Sequence, residues 1–480
     1  MRQDRGVTAP VIPSPSSQAY VEQLLDRAET VDGLVNAVCT PHPEALAQAA
    51  ARDAEAADGR SRGPLHGVPV LVKDNVDTHD LPTTAGSLAL AEAPAPTHDA
   101  PLVRRMREAG MVVLGKTNLS EWANIRDGAS TSGWSAYGGL TRNPYALNRS
   151  AGGSSSGSGA AVAAGLAPLA IGTETDGSIT CPAAFNGCVG LKPTVGLVPT
   201  QGVVPISASQ DAPGPLATSV RQAAALLGVI AGNGTDYAAH AVEGRLAGKR
   251  IGVPRASFWG YSPHADAAAE RAVGLLAAEG ATIVDATDLT ALEGFDGEDE
   301  LLVLLAELKA GLAAYLPTRP GDVPRSLAEV VAFNRTHADT ELTHFGQSLF
   351  EQALAGPDVG SPEYAAARAR CVAASRDNGI DAVLRAHDLD ALVTPSYAPA
   401  CPIDLVNAEA HPGSCTSPTA MAGYPLLTVP TELAAGLPVA VSFWGTAGSE
   451  ATLVEIGHGY ESARDRTGGP LPEPTFPTFV

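Results

Sequence analysis

Up to about residue 230 the chain alternates short apolar runs with stretches of helical periodicity, and this alternation limits its fold more than any other feature. Val68, Val70, Leu71 and Val72 suit a buried strand that ends in Lys73-Asp74-Asn75. Residues 101–110 read as a helix and 111–114 as a strand closed by a turn at Gly115. A small-residue helix is expected over 160–166, a strand over 169–175, and a short strand and turn over 187–198. Strands interleaved with helices build a layered α/β core. Upstream, residues 17–58 are Ala-rich with helical spacing, and residues 1–17 read as a loose Pro- and Ser-rich arm. After Asn233 the expected order is a strand at 249–254, a helix at 265–279 and a strand at 281–285. Helices over 299–353 and 362–386 follow, then strands at 391–395, 425–430 and 439–445. The expected fold is α/β: one large layered domain over 18–480, a central mixed sheet covered by helices, with a catalytic core at 64–216 and a helical elaboration at about 290–385.

Charge narrows the partners. With 31 basic against 52 acidic side chains the formal charge is −21, which repels phosphate backbones and anionic lipid. Nucleic acid and membrane are therefore not expected partners. No run of about 18 apolar residues suggests a bilayer span. The six cysteines form no C-x-x-C pair and are irregularly spaced, which suits free thiols in a reducing compartment, and the N-terminus lacks a signal-peptide core. Cytoplasmic residence is the expectation.

Lysine is scarce: Lys73, Lys116, Lys192, Lys249 and Lys309 are all there are. A lysine closing the strand VPVLVK should sit beside buried backbone, where desolvation disfavours the ammonium and leaves an amine able to act as a general base. It could equally snorkel to pair with Asp74 or Asp77.

Residues 152–159, GGSSSGSG, resemble a flexible linker, yet they lead straight into AAVAAGLAPLAIG, a helix and strand. They also satisfy G-x-S-x-G with Ser155 at the centre, but a nucleophile elbow needs an apolar strand before it, and TRNPYALNRSAG is turn material. A structured loop at a helix N-terminus is the favoured reading. Downstream, GTETDGS at 172–178 follows a strand. Its successive backbone N–H groups could stabilise an oxyanion beside the Ser178 hydroxyl.

Two apparent motifs are set aside. Residues 110–117, GMVVLGKT, match a phosphate-loop expression, but 111–114 is itself strand. His337, Glu341 and His344 share a helical face without H-E-x-x-H, and a solvated polar face is expected there rather than zinc.

Taken together, HGVPVLVK at 66–73, GGSS at 152–155, GTETDGS at 172–178, PAA at 182–184 and GLKPT at 190–194 resemble the amidase signature family of serine hydrolases. The wording GKTNLSEWAN, GGLTRNPY and GTETDGSITCPAAFNGCVGLKPTVGLV is similar to its peptide amidases. The resemblance implies a Ser–Ser–Lys triad. Ser178 would attack the amide carbonyl, Ser154, held by a cis peptide after Gly153, would relay the proton, and Lys73 would be the neutral base. Backbone amides of Thr175, Asp176, Gly177 and Ser178 would form the oxyanion hole. No metal or cofactor is implied. Asn124, Ile125, Arg126 and Ser155 are candidate substrate contacts, and Tyr424 and Trp444 offer either apolar walls or core aromatics.

The chain departs from the commoner family pattern at Asp176, where most members carry Gly, and at Ser156, which also replaces a Gly. A carboxylate at 176 must point away from the oxyanion. The implied activity is hydrolysis of a primary carboxamide, foremost the C-terminal amide of a peptide, with no obligate protein partner. Alternatives within the family are amidases of aryl or aliphatic amides, and an amidotransferase A-type subunit that feeds ammonia to an aminoacyl-tRNA complex.

Overall fold

A computed structural model describes residues 16–410 and 412–479. The expected N-terminal arm therefore lies almost wholly outside the described residues. Eleven strands form one sheet: β1 (Val38–Pro41), β2 (Pro69–Lys73), β3 (Val112–Thr117), β4 (Leu169–Glu174), β5 (Val189–Lys192), β6 (Ala212–Ala217), β7 (Arg250–Val253), β8 (Thr282–Asp285), β9 (Ala391–Pro395), β10 (Leu426–Ala434) and β11 (Leu437–Trp444). Their order is β1-β3-β2-β4-β6-β5-β10-β11-β9-β7-β8. The pairs β3/β2, β2/β4, β9/β7 and β7/β8 are parallel and the rest antiparallel, so the sheet is mixed as expected.

Helices cover both faces. Val70 and Val72 of β2 pack with Leu102, Met106 and Leu227 in one core cluster. Leu71 points the other way, toward Ala160, Ile179 and Leu216. Side chains alternate along a strand, so Lys73 leaves the sheet on the same side as Leu71. That is the face carrying the helix Ser156–Ala163.

Three expectations need correction. The helical reading of 17–58 hides β1, because Asn36 adopts φ 54° and stops the helix Ser17–Val35. Asn is among the few residues that accept this left-handed geometry. Strand β6, APGPLA, escaped notice because two prolines argue against an interior strand. Its neighbour β5 pairs only with Leu216 and Ala217, past both prolines, so Pro213 and Pro215 interrupt no ladder on that side. The small-residue helix starts at Ser156, inside the Gly/Ser run, rather than at 160. Gly157 N–H donates to the Asn118 carbonyl and the Ser158 hydroxyl to that of Ile171, so small residues let this helix sit against the ends of β3 and β4.

Between β8 and β9 the chain is mainly helical. Its segment Glu298–Thr318 is long and apolar enough, with a mean hydropathy of 1.5, to pass as a bilayer span. It is instead a core helix. Leu305, Leu308 and Leu312 join a buried cluster, while Glu300 accepts from Gln210 and Glu307 from Ser207.

Candidate active site

Lys73 is fully buried at the end of β2. Its Nζ lies 2.8 Å from Ser154 Oγ, 2.8 Å from Thr173 Oγ1 and 3.3 Å from the Thr173 carbonyl. The snorkelling alternative does not hold. Asp74 pairs with Lys116 at 3.2 Å and Asp77 with Arg319 at 2.9 Å. Burial therefore dominates, and the Lys73 amine is pulled down to about 7, with only partial relief from Asp211 and Glu174.

Ser154 precedes the helix Ser156–Ala163, and the Gly153–Ser154 peptide is cis. Ser155 N–H donates to the Ser178 carbonyl at 3.1 Å, which joins the serine loop to the turn after β4. The Ser155 hydroxyl is buried between the Thr173 carbonyl and N–H, at 3.1 and 3.2 Å, so the G-x-S-x-G match leaves no free nucleophile at that position.

In the turn after β4, the backbone N–H groups of residues 175–178 donate to no protein acceptor among the described residues. Glu174 occupies the donors just beyond, accepting from Ile179 and Thr180 N–H at 2.7 and 2.8 Å. The Thr175 hydroxyl is anchored to Asp211 at 2.6 Å. Gly177 has φ 80°, and a Cβ on it would collide with the Tyr397 hydroxyl. The Asp176 carboxyl is held by the Ser417 hydroxyl at 2.6 Å. Burial and hydroxyl bonding oppose each other at this group, and burial wins, raising its pKa above the usual carboxylate value.

A cleft of about 270 Å³ opens here, lined by Asn124, Ser132, Gly153, Asp176, Cys181, Tyr397, Gly413, Ser414 and Thr416. Ser178, in the same turn as Asp176, is 8% exposed. The arrangement brings together a buried amine of lowered basicity, a serine hydroxyl in contact with it, a second serine and a row of unspent N–H donors. Such a set can carry a proton away from a nucleophile and stabilise an oxyanion.

Of the candidate substrate contacts, Asn124 lines the cleft and donates to Ser132 Oγ at 3.1 Å. Ile125 packs into an apolar cluster with Trp122 and Phe350. Arg126 is fully buried, paired with Glu121 and Glu341, with Phe345 at 4.2 Å from its guanidinium. Tyr424 donates to Asp381 and Trp444 packs against Phe258, both outside the cleft lining. Glu341 corrects another expectation: it is buried and accepts from the Ser87 hydroxyl and the Leu88 N–H, so it does not belong to a solvated face. Lys116, of the phosphate-loop match, is buried in β3.

Several site residues went unnoticed in the sequence. Thr173 and Asn75 surround the amine, with Asn75 Nδ2 donating to Thr173 Oγ1 at 3.0 Å. Both sit inside motifs already singled out, LVKDN and GTETDGS. Ser417 and Tyr397, by contrast, come from segments more than 200 residues downstream, with no local mark.

The Amidase family profile matches residues 19–454. The chain is 46% identical to the solved structure of native peptide amidase from Stenotrophomonas maltophilia, with a TM-score of 0.87 and 95% of each chain covered. It is 37% identical to a protein named "Probable amidase At4g34880" from Arabidopsis thaliana, covering 93% of this chain and 87% of that one. It is also 36% identical to a glutamyl-tRNA(Gln) amidotransferase subunit from Moorella thermoacetica, covering 94% of each. The chain belongs to the amidase signature family and is an amide-hydrolysing enzyme.

Proposed function

We propose that the protein deamidates primary carboxamides by an acyl-enzyme route, with the C-terminal amides of peptides as its main substrate class. The observation that carries this reading is the 2.8 Å contact between a buried, carboxylate-free Lys73 amine and Ser154. Neutral Lys73 accepts the Ser154 proton while Ser154 accepts that of Ser178, whose oxygen attacks the carbonyl carbon. The oxyanion gathers N–H donors from residues 175–178. Collapse breaks the C–N bond, and ammonia leaves with a proton returned through Ser154. Water then attacks the ester by the same relay, so that amide plus water gives acid plus ammonia.

Similarity to a peptide amidase supports the peptide substrate. Incubation with an amidated peptide, and separately with unmodified peptides, tests it. Ammonia release without internal cleavage is expected; cleavage at internal bonds alone overturns the reading. The similarity to an amidotransferase component supports a second reading, in which the chain works only with partner proteins. Turnover by the isolated chain excludes that role, and profiling against aryl and aliphatic amides separates peptide deamidation from the remaining family activities. All six cysteines are unpaired, which fits residence in the reducing cytoplasm.

A further inference from the structure

The cleft at the turn after β4 holds about 270 Å³. Sites for small organic ligands usually occupy about 300–1,000 Å³, so this one has room for a reacting carboxamide and little of the peptide that carries it. A primary amide has no chain beyond its nitrogen. Every further residue of such a substrate lies on the acyl side and must leave the cleft that way.

A second cavity, of about 370 Å³, begins on the other side of Ser417. Ser417 lines it, and the same serine donates its hydroxyl to Asp176, which lines the cleft, at 2.6 Å. Thr416, the preceding residue, also lines the cleft. The two cavities share a further wall. A Cβ on Gly413, at the cleft, would meet the Tyr261 ring at 2.6 Å, and Phe258, three positions before that tyrosine, lines the second cavity.

The second cavity is apolar inside. Phe258, Leu289, Leu292, Phe295, Pro418 and Met421 line it. Leu289 and Met421 are buried and form its floor, whereas Phe258, Leu292 and Phe295 are half-buried and keep surface that a ligand can reach. Packing holds these walls in place: Phe258 and Leu292 lie against the cluster containing Leu289 and Trp444, and Phe295 against Val303 and Met421. Glu293 is the one charged residue in the lining, and it is exposed at the rim.

We infer that this cavity is the subsite for an apolar side chain within the last two residues of the amidated peptide. The inference rests on the deamidation reading and adds to it the kind of peptide preferred. An extended chain advances about 3.3–3.6 Å per residue, so a side chain one or two residues before the amide can cross a boundary one serine wide. Neighbouring side chains on an extended chain point to opposite sides, so only one of the two positions enters. Apolar walls then favour larger apolar groups, and a hydrophobic pocket separates side chains differing by one methylene by about 10–200-fold. An acidic side chain would lose its water without gaining a partner, and would meet Glu293 at the rim.

The test uses two sets of amidated tripeptides, one varying the last residue and one the penultimate residue through Gly, Leu, Phe and Glu, with ammonia release giving kcat/KM. In one set Leu and Phe should exceed Gly at least tenfold and Glu should fall below Gly, while the other set should vary less than threefold. Flat rates in both sets overturn the inference, as does an equal apolar preference in both. Leu292→Asp places a charge on the cavity wall and should cut the Leu-over-Gly ratio at least fivefold. Phe295→Ser, on the same wall, replaces it if that variant does not fold. An unchanged ratio in a folded variant puts the preference elsewhere and also overturns the inference. Ammonia release from the amidated peptides without any apolar preference refutes this inference alone, whereas no release from any of them refutes the deamidation reading itself.

Discussion

Asp74 pairs with Lys116 at 3.2 Å, and this leaves its chain neighbour Lys73 without a carboxylate of its own. Both lysines are fully buried, but only one is neutralised by an ion pair. Thr84 also donates to Asp74, which fixes the carboxylate on the Lys116 side. The unpaired amine is the one that touches Ser154.

Removing the groups of the proposed relay should abolish turnover. Ser178→Ala and Lys73→Ala should each lower kcat by about 10⁴-fold or more, as when linked catalytic groups are deleted. Steady-state ammonia release checks this; a Lys73→Ala enzyme of near-normal rate at pH 7 would refute the base assignment.

Activity should fall in acid. Lys73 titrates at about 7, and only its neutral form can accept a proton. Below that point log kcat/KM should drop with unit slope, and above it the profile should level off. A profile that stays flat down to pH 5 is the contrary result.

The same burial should cost stability. Unfolded Lys73 holds its proton up to about pH 10.5, whereas folded Lys73 releases it at about 7. Between these values the unfolded chain binds more protons, so stability rises with pH across the window and the cost is fullest below pH 7. The gap corresponds to a few kcal/mol, on the order of 1.4 kcal/mol per pH unit. Lys73→Met should therefore melt higher than wild type at pH 7 while being inactive, and its advantage should shrink toward pH 10. Thermal melts at both pH values decide this, and an advantage that grows with pH contradicts it.

Arg126 should matter to the fold more than to substrate. Its deletion strands Glu121 and Glu341, both fully buried, and breaking such a cluster typically costs about 3–5 kcal/mol. Arg126→Ala should lower the melting temperature sharply, and the enzyme that remains folded should keep its KM within about threefold. An unchanged melt with a raised KM would instead return Arg126 to the substrate site.

Gly177→Ala should damage catalysis through geometry alone. The position has φ 80° and no room for a Cβ against Tyr397. Distorting one N–H donor of an oxyanion site costs about 10²–10³-fold in kcat. Kinetics alongside circular dichroism would show this as a rate loss in a folded protein; a full rate would argue against residues 175–178 as the oxyanion site.

Much of the frame was legible because local rules govern it. An unbroken apolar run marked β2, and the strand–helix alternation led to the mixed layered sheet that is observed. Illegible elements had local signals that pointed the wrong way. Pro213 and Pro215 disguised β6, and the Gly/Ser run disguised a helix whose small residues serve close packing rather than flexibility. Glu341 looked like surface because its helical neighbours are exposed; its own burial depends on Arg126, 215 residues away.

From its letters alone this protein was committed to an α/β architecture and to a short set of polar residues placed at strand ends and tight turns, since backbone sterics and burial patterns act over a few residues. Tertiary structure decided which of those residues meet. Lys73 and Ser154, 81 positions apart, touch because β2 and the helix after Ser154 pack on one face of the sheet. Asp176 is held by Ser417, 241 positions on. Desolvation and contact are properties of what surrounds a group, and in this chain those surroundings are assembled from segments that local sequence does not connect.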